Sequence, residues 1–164
     1  MKLEGFREVL DPELDAFLTS PVMILAATRG TDGRPALGRA LGARREAGAR
    51  LDIFISRAQW PRLVEGVGPG DPVAVTFSRV QDYRTYQLKG RVLAFGASTP
   101  DDLTYVDRYQ QVIGRLMASV GVPHAFVARW LIEQDTVTLA IDTQAVFVQT
   151  PGPGAGRPLE APSA

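Results

Sequence analysis

The chain has 164 residues, 45% hydrophobic and 22% charged, and its 18 Lys and Arg are balanced by 18 Asp and Glu. That length suits one domain whose core needs no staples. The balance of charge argues against a nucleic-acid binder working by bulk phosphate neutralisation, yet allows one small anion in a local basic pocket. With no cysteine, disulfides, thiolate metal sites and a cysteine nucleophile are excluded too.

The opening stretch, MKLEGFREVLDPELDAFL, is amphipathic and acidic, without the apolar core of a signal peptide. No apolar run approaches the roughly 20 residues that span a bilayer. A soluble, cytoplasmic protein with no membrane partner is the expectation. DPELDAFLTS reads as a short helix, capped by Asp11, with Pro12 in its first turn and Leu14, Phe17 and Leu18 as its apolar stripe. Val22 to Thr28 reads as a buried strand. The Asp32-Gly33 pair signals a hairpin, with Ala36–Glu46 as the return strand. RLDIFISR is a third strand, with Leu51, Ile53 and Ile55 on one face. WPRLVEGVGPGD gives one or two helical turns ended by Gly-Pro-Gly.

PVAVTFSRV is a fourth strand, in which Val73, Val75 and Phe77 alternate with Ala74, Thr76 and Ser78. YRTYQLKG continues into RVLAFG as a long fifth strand starting at Tyr83. Alternation places Tyr83, Thr85, Gln87 and Lys89 on one face of it and Arg84, Tyr86 and Leu88 on the other. The period then changes to about 3.6. Leu103, Val106, Tyr109, Ile113 and Leu116 share a helical face, with Thr99 as cap and Asp102 completing a capping-box-like pair. Pro123 starts a further helix. TVTLAIDTQAVFVQT is a strand pair or one long bent strand. Residues 1–150 form one domain in this reading, and 151–164 form a Pro/Gly/Ala-rich tail whose end is expected to be disordered.

Consecutive hairpins predict a mainly β fold with peripheral helices: an antiparallel, Greek-key-like sheet closed into a small barrel, with a helical pair between the fifth strand and the last strands.

Few residues invite chemistry. His124 is the single histidine, so a multi-histidine metal site is impossible, and no metal is expected. At a helix start it reads as a surface or capping residue. GVGPG lacks the strand-loop-helix context of a dinucleotide fingerprint and reads as a helix stop. Arg39 shares its nominal face with Leu37, Leu41 and Ala43, and a cation there is costly unless paired or bound to an anion. Arg44, five residues on, falls on the opposite face unless Gly42 marks a bulge. Ser56-Arg57 closes the third strand where a hydroxyl, a guanidinium and backbone N–H groups can hold a phosphate. The plainer reading of these arginines is solvation or ordinary ion pairing.

The order of elements from about Phe17 to Thr150 resembles the FMN-binding split β-barrel of the pyridoxamine 5′-phosphate oxidase-like superfamily. The resemblance is carried by ILAATRGTDGRPALGRALGARRE, LDIFISRAQWPRL, DPVAVTFSRVQDYRTYQLKGRV and AVFVQTPGPGAG. It implies FMN as cofactor and a homodimer with the flavin between subunits. It also implies Arg39 on the flavin phosphate, with Ala40 and Leu41 beside it, and Arg44 lining the site. Ile55 and Ser56 would contribute from the end of the third strand, helped by Arg57. Thr85, five before Gly90, and Gln87 would meet the ring edge.

The chain departs from that family in two places. Trp60 and Pro61 stand where the usual Ser-Arg-Lys run places its basic pair. The C-terminal Trp and Arg signature of the vitamin B6 oxidase is missing, so pyridoxamine phosphate oxidation is not assigned. Trp60 reads better as a cover for the barrel end than as a partner of the ring. The resemblance implies an FMN-dependent oxidoreductase with a small-molecule substrate or nicotinamide reductant and no identified general acid or base. A non-catalytic flavin- or haem-binding carrier or sensor, and a cofactor-free structural dimer, are the alternatives.

Overall fold

The computed structural model describes residues 12–159. The Asp11 cap and the expected disorder at the end of the tail lie outside them. A helix, α1 (Pro12–Leu18), leads into three strands, β1 (Met23–Arg29), β2 (Pro35–Arg45) and β3 (Arg50–Ser56). A single turn, α2 (Pro61–Val64), precedes β4 (Pro72–Ser78) and β5 (Thr85–Ala97). Two helices, α3 (Pro100–Ser119) and α4 (His124–Trp130), lead to β6 (Thr136–Val148). The last segment is one long strand rather than a pair.

The six strands close into an antiparallel barrel in the order β1-β2-β3-β6-β5-β4, with β1 pairing β4 to close it. Closure removes the open edges that a flat sheet of this length would expose. β3 lies between β2 and β6, so the chain must cross the barrel end to reach β4, and α2 makes that crossing. The Thr28 hydroxyl donates to the Leu63 carbonyl at 2.6 Å, fixing α2 to the end of β1.

Alternation of burial defines the inside. Ile24 and Ala26 of β1, and Val73, Val75 and Phe77 of β4, are buried. Both faces of β3 are buried, because Ile53 and Ile55 face the core while Phe54 lies beneath Tyr105 of α3, 5.6 Å between ring centres. α3 starts with the expected capping box: the Thr99 side chain accepts from the Asp102 N–H, and the Asp102 carboxylate accepts from the Thr99 N–H. Its buried stripe is Val106, Tyr109, Ile113 and Met117, with Leu103 and Leu116 half-buried at its margins. The Tyr109 hydroxyl donates to the Val22 carbonyl.

Three local details differ from simple alternation. Tyr83 is not in β5 but in the preceding turn, at φ 58, a left-handed conformation that no strand residue adopts. β2 carries a bulge: Ala40 pairs with Ile55 and Gly42 with Phe54, leaving Leu41 as the extra residue. Gly90 marks a third irregularity, where β6 passes so close that a Cβ would lie 2.1 Å from the Asp142 carbonyl oxygen.

Among the described residues, no helix is long and apolar enough to cross a membrane.

Candidate functional site

The outer face of the barrel carries one row of directly opposed residues across five strands. Arg39 of β2 pairs with Leu25 of β1, Leu25 with Thr76 of β4, Thr76 with Gln87 of β5, and Gln87 with Phe147 of β6. The inward phase of β1 and β4 forces Leu25 and Thr76 outward. Arg39 and Gln87 are thus three strand spacings apart, roughly 14 Å along the sheet.

Arg39 faces outward with Leu37, not into the interior with Leu41 and Ala43. The extra residue at Leu41 reverses the phase of the strand, so Ala43 points in again and Arg44 points out. Arg39 is half-buried, its guanidinium carbon 4.8 Å from the centre of the Trp130 ring. Among the described residues it has no carboxylate within salt-bridge distance. Burial lowers its pKa from the ordinary value, although a guanidinium remains a cation under any working condition.

The other two predicted arginines are already engaged. Arg44 donates to Glu46 at 2.8 Å and to Asp102 at 2.7 Å. Burial lowers its pKa, but these hydrogen bonds outweigh burial and raise it. The bulge puts Arg39 and Arg44 on the same side of β2, yet Tyr105 and Tyr109 of α3 pack over Gly42 between them. Arg57 makes a two-pronged pair with Asp135, both contacts at 2.8 Å. This holds the Asp135 carboxyl below its ordinary range.

Ala40, Leu41, Ile55 and Ser56 are all buried. The Ser56 hydroxyl donates to the Gln134 carbonyl at 2.8 Å and accepts from the Gln59 N–H at 3.2 Å. Trp60 closes the barrel end against Gly38, where a Cβ would lie 2.7 Å from the indole ring. The buried Trp60 indole N–H has no hydrogen-bond partner among the described residues. His124 is exposed at the start of α4.

On β5, Gln87 is half-buried and its Nε2 donates to the Thr76 hydroxyl at 3.2 Å. The Thr85 hydroxyl donates to the Tyr83 carbonyl at 2.9 Å and lies 2.9 Å from the Ser78 hydroxyl. Of the predicted residues, Arg39, Arg44, Thr85 and Gln87 therefore point to the outer face, and α3 separates Arg44 from Arg39. Leu25, Thr76 and Trp130 join them. Alternation in β4 places Thr76 outward, whereas no sequence signal brings Trp130 to Arg39, because helix docking is a tertiary event. Among the described residues, no group of three or more His, Asp or Glu is placed to hold a metal ion.

No family model matches the chain, and no curated protein matches it. Solved structures do. An F420 reductase is similar over 80% of this chain and 94% of its own, at 19% identity and a TM-score of 0.52. HupZ from Group A Streptococcus is similar over 90% of this chain and 100% of its own, at 14% identity and a TM-score of 0.50. A pyridoxamine 5′-phosphate oxidase-related, FMN-binding protein from Nostoc punctiforme is similar over 84% of this chain and 78% of its own, at 15% identity and a TM-score of 0.43. At these identities the likeness is one of fold. The chain shares its closed antiparallel β-barrel fold with the F420 reductase and with HupZ.

Proposed function

We propose that the chain binds FMN along the row from Arg39 to Gln87 and acts as a flavin-dependent oxidoreductase on a small molecule, as a homodimer with flavin between the barrels. The observation that carries this reading is Arg39, a half-buried cation on an aromatic face with no carboxylate partner among the described residues. Such a charge is costly to leave uncompensated. A phosphate supplies both the opposite charge and the paired acceptors that a guanidinium fork fits. The F420 reductase of the same fold supports a flavin-type redox cofactor in general.

The residues present fit such a group. Arg39 would hold the phosphate without help from a Ser-Arg-Lys run, because Arg57 is occupied by Asp135. Leu25 gives the ring an apolar support. Gln87, oriented by its hydrogen bond to Thr76, keeps its carbonyl oxygen available to accept from a ring N–H. A bound flavin supplies reversible electron transfer itself, so the protein's part is placement and electrostatics.

Anaerobic titration of the purified protein with FMN, and separately with F420, tests the reading. Binding should change the absorbance and fluorescence of the cofactor, and NADH or NADPH should then bleach it. No spectral change with either cofactor would sink the flavin reading. Binding without bleaching by any reductant would favour the carrier.

A further inference from the structure

A cleft of about 530 Å³ opens on the same outer face, one residue pair further along the strands. Its floor is the adjacent pair Ala27 and Ala74, beyond which Lys89 stands before Ala145 in the same row, and Arg29 and Arg91 line it from the next row. The register explains the hollow. Ala27 pairs with Ala74, Ala74 with Lys89, and Lys89 with Ala145. The adjacent short side chains of Ala27 and Ala74 leave a trough beside the row that holds Thr76 and Gln87, with Lys89 as its far wall.

The rim is cationic and uncompensated. No Asp or Glu lines the cleft. Among the described residues, Arg29, Lys89 and Arg91 have no carboxylate within salt-bridge distance. Asp142, the cross-strand neighbour of Arg91, makes no ion pair with it. Lys89 Nζ lies 4.5 Å from the centre of the Phe147 ring, and Arg91 donates to the Gly70 carbonyl at 3.1 Å. Cations elsewhere on the surface divide: Arg57, Arg62 and Arg79 each hold a carboxylate at 2.9 Å or closer, whereas Arg34, Arg108, Arg115 and Arg129 hold none among the described residues, so the cleft is set apart by three cations sharing one apolar hollow. Three like charges around one apolar hollow raise the local positive potential, and an anion relieves it.

We infer that this cleft binds a planar molecule bearing a phosphate or carboxylate, its ring on the alanine floor and its anionic group among Arg29, Lys89 and Arg91. Because the floor adjoins Thr76 and Gln87, the bound molecule is the substrate or reductant of the proposed site. That role rests on the flavin reading, whereas the binding does not.

Calorimetric titration of the full chain with NADPH (a phosphate-bearing ring) and with isophthalate (a carboxylate-bearing ring) tests the inference. Arg29→Gln with Arg91→Gln changes only exposed side chains. Lys89→Gln serves as the second variant should the double change disturb the barrel, which circular dichroism would report. At least one probe should bind, more weakly at high salt. The double variant should loosen it roughly tenfold or more and leave FMN affinity, read by flavin fluorescence, unchanged. Which probe binds names the anion. The inference is overturned if neither probe binds, if the variants bind as tightly as the parent, or if they lose FMN instead. If FMN never binds but probe binding still requires these cations, the flavin reading fails and the anion site stands.

Discussion

The Arg39 guanidinium lies 4.8 Å from the centre of the Trp130 ring, a contact that holds the charge in place without consuming its N–H fork. Arg44, on the same strand, illustrates the opposite arrangement, with Glu46 and Asp102 filling its donors. A cation–π contact contributes about 0.5–2 kcal/mol, enough to orient the side chain while leaving it to bind an anion.

Replacing Arg39 by Ala should weaken FMN binding by about 1.5–3 kcal/mol, the range for a lost charged hydrogen bond. The fold should survive, because the side chain faces outward. Arg39→Lys keeps the charge but loses the planar fork, so it should recover only part of the affinity. Fluorescence titration checks both variants. Equal affinity in parent and Arg39→Ala would place the phosphate elsewhere.

Gly90 has no room for a side chain. An added Cβ would sit 2.1 Å from the Asp142 carbonyl oxygen and 3.1 Å from the Thr143 Cα, both backbone atoms of β6. Neither can swing away, so Gly90→Ala must push β5 and β6 apart, at a cost of about 3 kcal/mol or more. Gly96, on the same strand, meets nothing within 4 Å, and Gly96→Ala should be nearly neutral. Urea unfolding of the two variants gives the comparison directly.

Local chemistry was legible in the residues, and non-local chemistry was not. The Asp32-Gly33 hairpin and the Thr99–Asp102 capping box depend on neighbours in the chain, so composition and spacing reveal them. The Leu41 bulge depends on how β2 meets β3. One extra residue reverses every face assignment beyond it, which is why simple alternation put Arg39 with Leu41 and Ala43. Besides Glu46, two residues along, Arg44 is occupied by Asp102, 58 residues away, and the partner of Arg57 lies 78 residues away. Nothing in the strands themselves announces the two distant carboxylates, or shows that Arg39 lacks one.

Asp102 joins the helix cap to the barrel. Its carboxylate accepts from the Thr99 N–H at 2.9 Å, from Arg44 at 2.7 Å and from the Thr138 hydroxyl at 3.2 Å. Burial pushes its pKa up, but the hydrogen bonds from Thr99 and Arg44 outweigh burial and hold it below the ordinary value. A folded-state pKa below the unfolded one means stability that is fully present above the unfolded value of about 3.9 and lost as pH falls through the folded value. Asp102→Asn should therefore destabilise the protein by about 1–3 kcal/mol at neutral pH. The difference from the parent should shrink as pH drops below about 4. Urea midpoints at pH 7 and at pH 3 would show the convergence, and a gap independent of pH would assign the loss to packing alone.

Leu25 and Leu37 are 43% and 64% exposed on the outer face, in successive rows beside Arg39 and Ala27. On a closed barrel these outward positions need no apolar residue for the core, and a second barrel covering them would gain about 25 cal/mol for each Å² of apolar surface removed from water. In the proposed homodimer this face meets its partner, and the flavin lies between them. Leu37→Asp places a charge there without touching the interior, so the monomer should fold with unchanged secondary structure. Sedimentation velocity should show the parent as a dimer and the variant shifted to monomer at micromolar concentration. FMN affinity should fall with it, because half of the walls around the cofactor would be gone. A variant that stays dimeric would move the interface off this face, and a monomeric variant that binds FMN as tightly as the parent would show that one barrel suffices.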